Sequence, residues 1–248
     1  ELIKVYERLE LNSFLKNEIF EKDAVLSEET SKENNKKLTK KINIVWDKKI
    51  FTKLLKDIEK RKFISFDLET TSLDYMVAEI VGVSLAINLE ESFYIPIAHE
   101  DESKYKQLDI DYVLDKFKPL LESKSIKKLG HNLKYDRNVL LNYDITLNAI
   151  EHDSMLLSYV YDPTVIRHGL DNVAEKYLSY KTIHYEDVAG KGVKQIPFAK
   201  VDIDVAAEYA CEDSLVSYEL YNYLWEKILK NKSIVNIYTD IEMPLVPV

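Results

Sequence analysis

Asp67 and Glu69 stand two residues apart in Lys62-Phe-Ile-Ser-Phe-Asp-Leu-Glu-Thr-Thr-Ser-Leu-Asp74, where a β-rich run gives way to acidic and hydroxyl side chains. The strand period of two aims both carboxylates at one face. Two like charges held that close leave one protonated unless a cation compensates them. An acidic turn has the same composition. Asn132 and Asp136 are four apart in Gly130-His-Asn-Leu-Lys-Tyr-Asp-Arg137, so a helix starting there carries both on one face. A capping asparagine with an acid in the first turn reads identically. Tyr209 and Asp213 repeat the spacing of four, as do Glu208 and Glu212, which the pattern assigns to a solvated face. In a chain with 17 tyrosines, a tyrosine one turn before an aspartate needs no chemistry to explain it. Taken singly, each pair is weak.

The elements that must position these groups follow from periodicity. Residues 1–22 have the spacing of a short amphipathic helix (Leu2, Val5, Leu9, Leu11, Leu15, Ile19), and 27–41 are polar enough for a mobile linker. Ile42–Trp46 is a strand candidate and Lys48–Lys60 has helical spacing. Asp67 and Glu69 end the next strand. Ile80–Ile87 and Ser92–Ile97, flanking polar Asn88–Glu91, form a hairpin pattern. Then follow a helix over Ile110–Leu121, a strand over Ile126–Leu129, and helices over Asn132–Leu141, Ser154–Val160, Leu170–Leu178 and Ile203–Leu229. Lys181–Ala199, with Gly190, Gly192 and Pro197, reads as a loop. Strands first and strand–helix alternation later predict an α/β sandwich, a mixed β-sheet flanked by helices.

Together the pairs say more than apart. Asp-x-Glu on a strand, Asn-x-x-x-Asp after a strand and Tyr-x-x-x-Asp on a late helix resemble, in that order, the three motifs of the 3′–5′ proofreading exonuclease domain of family A DNA polymerases. Asp67–Asp74, His131–Asp136, Arg167–Asp171 and Ala189–Gly192 each resemble blocks of that family. Ile241–Val248 is similar to the segment that opens the polymerase domain. The resemblance implies a ribonuclease H-like exonuclease fold over 42–240, an N-terminal helical segment and linker over 1–41, and the start of a polymerase domain at 241–248. It implies two divalent cations, Mg²⁺ or Mn²⁺. Asp67, Glu69 and Asp213 would hold the first, Asp67 bridging to the second, and Asp136 would hold the second largely through water. Tyr209 would orient the attacking water with Glu69. A phenol whose ordinary pKa is near 10 is a poor base at neutral pH.

For the substrate, the resemblance implies a single-stranded 3′ end of DNA. Leu73 would wedge near the terminal bases and Thr70 would approach the 3′ end. Asn132, Tyr135 and Arg167 would contact the strand, and Tyr185 would pack on the terminal nucleotide. On residues alone, Leu73 also suits a core position, Tyr135 a packing role, and Arg167 a pair with Asp162 or Asp171. His131 stands where many relatives carry Gln, and altered strand contact is expected there. The implied partner is a polymerase domain on the same polypeptide. The alternatives are an RNA-trimming 3′–5′ exoribonuclease and an inert scaffold. The Lys- and Asn-rich composition resembles the malaria-parasite plastid (apicoplast) branch of the family, which would place the chain in that organelle.

Composition sets the outer bounds. The 248 residues carry 34 basic and 43 acidic side chains, a net charge of −9. That balance argues against coating duplex DNA by bulk charge, but not against cations bridging carboxylates to phosphate. Cys211, the one cysteine, excludes an intrachain disulfide and a cysteine-based zinc site. The longest apolar run, Ile80–Ile87, is too short to cross a bilayer, so no membrane partner is expected. A start at Glu1 rather than methionine suggests a fragment of a longer chain.

Overall fold

Alternation along Phe63–Thr70 decides the centre of the molecule. Ile64, Phe66 and Leu68 point into one hydrophobic layer, while Phe63 on the opposite face packs edge-on against Tyr218, 5.5 Å between ring centres. The computed structural model describes residues 41–101 and 104–248. The helix expected over 1–22, and all but Lys41 of the expected linker, lie outside the described residues.

The chain runs β1 (Lys41–Ile44), α1 (Lys48–Arg61), β2 (Phe63–Thr70), β3 (Ile80–Ala86), β4 (Glu91–Pro96), α2 (Ile110–Leu121) and β5 (Lys127–Gly130). It continues through α3 (Leu133–Leu141), β6 (Ile150–Asp153), α4 (Ser154–Tyr161), α5 (Leu170–Leu178), α6 (Tyr185–Ala189) and α7 (Ile203–Ile228). It ends in α8 (Lys232–Ile237), a π-helical turn (Tyr238–Glu242) and α9 (Met243–Leu245). The sheet order is β1-β4-β3-β2-β5-β6. β3 pairs antiparallel with β2 and β4, and the other pairings are parallel. Five strands therefore end at one edge, where an open α/β sheet offers a crevice.

Helices cover both faces. α1 is started by Asp47, whose carboxylate accepts from the Lys49 and Ile50 N–H groups, and it buries Phe51, Leu54 and Ile58. Each fully buried side chain of that size contributes roughly 2 kcal/mol. The first half of α7 packs with β3 and β4 through Val81, Tyr94, Ala206, Ala207 and Ala210. Its second half packs with α4 and α5 through Val216, Leu220 and Leu224. Small residues early on α7 bring the sheet and that helix together, which matters for the site.

Four elements were not expected: α8 and α9, short helices after the last expected one, and β6 and α6. β6 (Ile-Glu-His-Asp) is short and polar, so no period marks it, yet it pairs with β5 and delivers Asp153. α6 interrupts the expected 181–199 loop; its helix is five residues long, below what a hydrophobic period reveals.

Candidate active site

β2 carries Asp67 and Glu69, and its pairing with β3 shifts register between Glu69 and Thr70. Such irregularities re-aim side chains at a strand's end. Opposite Glu69, Gly82 leaves room for a tyrosine: a Cβ there would sit 2.1 Å from the Tyr94 hydroxyl oxygen. That hydroxyl meets His99 Nε2 at 2.7 Å, within the core. α7 supplies Tyr209 and Asp213 one turn apart. Carboxylate oxygens of Asp67, Glu69 and Asp213 lie within 4.8 Å of one another. Asp136 arrives from the first turn of α3, and its buried carboxylate accepts from the Leu68 N–H at 2.9 Å, between the two β2 acids. Asp67, Glu69, Asp136, Tyr209 and Asp213 thus converge, while Asn132 of the second pair does not.

The cluster is electrostatically crowded. Burial pushes Asp67 up to about 7. Glu69 is held well above the usual carboxylate range by burial, then by Asp67, Asp213 and Asp136. Asp213 is raised by burial and by Asp67 and Glu212, with the Tyr209 hydrogen bond opposing. Asp136 is raised by burial and by Asp67, opposed by the Leu68 N–H. Such a group cannot be fully ionised at neutral pH without positive charge, and its donors are all hard oxygens. The residues present therefore fit divalent cations of the Mg²⁺ or Mn²⁺ kind. Burial, then Asp213, Glu69 and Asp67, drive the Tyr209 phenol far above its ordinary value, so it stays protonated at working pH.

Above the acids opens a cleft of about 620 Å³ lined by Glu69, Thr70, Leu73, Tyr135, Tyr185 and Tyr209, among others. Leu73 is 96% exposed, which removes the core alternative. Met76 and Val77 on the same β2–β3 loop are exposed too, apolar neighbours that the sequence did not single out. Tyr135 packs against the core and meets the Thr70 hydroxyl at 2.6 Å, and its hydroxyl also donates to the Ser72 carbonyl. Tyr185, opening α6, stacks 6.2 Å from Phe198 and lies edge-on to Tyr209.

Two expected strand contacts do not line that cleft. Asn132 is exposed in left-handed conformation (φ 64°) and borders a smaller hollow with Lys134, Asp153 and Leu245. It occupies the N-cap position of α3 with Asp136 in the first turn, but its side chain makes no capping bond. Arg167 is exposed on the α4–α5 loop. Asp162 instead binds Lys176, and Asp171 binds Thr182 and His184, so Arg167 pairs with neither. His131, where altered strand contact is expected, is held within the protein. Its Nδ1 meets Ser154 Oγ at 2.8 Å and its Nε2 the His168 carbonyl at 2.9 Å, so neither nitrogen is left for a strand.

Glu208 is exposed as expected, but Glu212 is not on a solvated face. It accepts from the Tyr180 hydroxyl and the Ile183 N–H, both at 2.5 Å, and fixes the segment leading to Tyr185. Asp153 is the other residue sequence reasoning passed over. It accepts from Asn132 and Leu133 as well as from Met155 and Leu156, starting α3 and α4 together. Its place before an apolar run was a readable capping signal for α4; its reach to α3 was not.

Residues 42–229 match the sequence model of a family described as 3′–5′ exonuclease. The chain belongs to the 3′–5′ exonuclease family of DNA polymerase I-like, family A polymerases. It is 41% identical over 249 residues to DNA polymerase I of Pseudomonas aeruginosa, covering 100% of this chain and 27% of that protein. It is 37% identical over 209 residues to DNA polymerase I of Rhizobium leguminosarum, covering 77% and 20%. The chain thus spans about a quarter of the length of the first of these relatives and a fifth of the second. Among solved structures it is similar to Trypanosoma brucei RNase D (TM-score 0.61, 15% identity, 83% of this chain and 71% of that one). It is similar also to M. smegmatis Pol1 in complex with primer-template DNA and dNTP (TM-score 0.61, 13% identity, 79% and 29%). These two establish the ribonuclease H-like fold. Exonucleases of this type use divalent metal ions, and the Asp67, Glu69 and Asp213 cluster is compatible with a metal site.

Proposed function

We propose that this exonuclease removes nucleotides from the single-stranded 3′ end of DNA and proofreads for a polymerase domain on the same polypeptide. The exonuclease would occupy 42–240 and the polymerase domain would open at 241–248. One observation carries the reading: Asp67, Glu69 and Asp213 meet within 4.8 Å, beside a cleft.

In this reading Asp67, Glu69 and Asp213 would hold one Mg²⁺ or Mn²⁺, and Asp136 with Asp67 a second. Bound divalent cations supply charge compensation at a scissile phosphate and a nucleophile at neutral pH. The chain's own residues do the rest. Tyr209, locked in its protonated form, hydrogen-bonds Asp213 and with Glu69 orients the attacking water as positioner, not base. Thr70 stands near the 3′ end, its hydroxyl already set by Tyr135. Leu73 wedges against the terminal bases and Tyr185 packs on the last nucleotide, since stacking grips single strands without reading sequence. Asn132, Tyr135 and Arg167 contact the strand. Of 34 basic residues only Arg8, Arg61, Arg137 and Arg167 are arginine. An exposed guanidinium with no ion-pair partner among the described residues, in so lysine-biased a chain, suits a planar fork aimed at phosphate.

The test uses 3′-labelled single-stranded oligonucleotides with Mg²⁺ or Mn²⁺. We expect stepwise shortening from the 3′ end, release of 5′-mononucleotides, and loss of both on chelation or in D67A/E69A. Clear preference for RNA of equal sequence rejects proofreading in favour of RNA trimming. Absence of shortening at every metal concentration points to an inert scaffold.

Plastid (apicoplast) placement is the narrower part of the proposal. It is supported by the lysine and asparagine bias alone, and imaging a tagged full-length protein tests it.

A further inference from the structure

We propose that His131 is a positioning residue that holds the loop carrying Arg167 to the start of α3; this rests on the reading of Arg167 as a strand contact. The loop between α4 and α5 is anchored at both ends. At its start, the Asp162 carboxylate accepts from the Thr164 N–H (3.0 Å) and hydroxyl (2.6 Å) and binds Lys176 Nζ at 2.6 Å. At its end, His168 Nδ1 meets Ser158 Oγ at 2.8 Å, and the His168 carbonyl meets His131 Nε2 at 2.9 Å. Between the anchors Ile166 is 91% exposed and Arg167 stands out without an ion-pair partner among the described residues.

The two histidine anchors differ in what they join. Ser158 belongs to α4 and ties the loop to the helix that precedes it. His131 lies between β5 and α3, directly before Asn132 and one turn from Tyr135. Its bond connects the Arg167 backbone, one residue away, to the element that carries Asn132, Tyr135 and Asp136. A carbonyl only accepts, so Nε2 must carry the proton. On a neutral ring Nδ1 then accepts from buried Ser154 at 2.8 Å, the single hydroxyl hydrogen being shared between Nδ1 and the Gly130 carbonyl 3.1 Å away. The ring is held at both nitrogens and cannot swing toward a strand. Its action on substrate runs through the loop.

The test measures exonuclease kinetics on a single-stranded oligonucleotide for H131A, H131Q, R167A and H131A/R167A. R167A should raise KM about tenfold, the value of one charge-assisted hydrogen bond. H131A should raise KM similarly with kcat within about twofold, and the double variant should be no worse than R167A. H131Q, whose amide N–H reaches the same carbonyl, should stay near wild type. Losses that multiply in the double variant, or an H131A defect confined to kcat, overturn the proposal. If R167A has no effect, the strand-contact reading and the tether fall together, while hydrolysis itself persists. Should H131A unfold at assay temperature, S154A serves: its KM should rise in wild type and not in the R167A background, and any other pattern counts against the tether.

Discussion

At the scale of single residues, Tyr209 separates two kinds of mechanism. A phenol buried among three carboxylates gives up its proton only at very high pH, so it offers a hydrogen bond and takes none of the base's work. Y209F keeps the ring against Tyr185 and Phe198 and loses only the hydroxyl. Its kcat should fall about 10- to 100-fold, the value of one hydrogen bond to a charged centre, with KM unchanged. The pH–rate profile should keep its shape. Disappearance of an ionisation in Y209F would show that the phenol is the base after all. D67A/E69A, which in the proposed reading would remove metal ligands rather than a positioner, should fall to background.

At the scale of elements, one buried carboxylate sets the geometry of the edge where β5 and β6 end. Asp153 binds four N–H groups across the starts of α3 and α4, and a buried group so used is costly to remove. D153A should lower stability by about 3 kcal/mol in urea unfolding. It should also reduce activity per folded molecule, because α3 carries Asp136. D153N, which keeps one acceptor oxygen, should fall between. Undiminished stability in D153A would mean that water or another group caps both helices. This is also where sequence legibility ends. Helices with full hydrophobic stripes, such as α2 and α5, were readable to the residue. Strand and helix periods put Asp67 with Glu69 and Tyr209 with Asp213, but that the two sets would meet was legible only through the resemblance to the exonuclease motifs. β6, α6 and the engagements of Glu212 and His131 were not legible, because a four- or five-residue polar element has no period. A buried polar side chain also chooses its partner by tertiary distance. Glu212 looks in sequence like any solvated acid, and Asp153 like an ordinary cap of one helix.

For the whole molecule, the acidic cluster is a strain that folding tolerates and cations relieve. Asp67 binds its proton up to about pH 7 in the fold, against 3.8 ordinarily. Across that window the native state holds more protons than the unfolded chain, so stability falls as pH rises, and the loss is complete above about 7. His152 works the other way. Burial pushes it down to about 4, so the unfolded chain is the better proton binder between about 4 and 6.5, and stability rises with pH there. The cluster's own contribution is therefore the difference between wild type and D67A/E69A at each pH, since His152 is common to both. In chelator the variant should match wild type near pH 4 and exceed it by several degrees in melting temperature at pH 8. Mg²⁺ or Mn²⁺ should raise wild-type melting temperature at pH 8 more than at pH 5, because ligands must be deprotonated to bind. The variant should show little of that shift. A variant less stable than wild type at pH 8 in chelator would mean that the carboxylates support the fold without a cation, and the strain argument would fail.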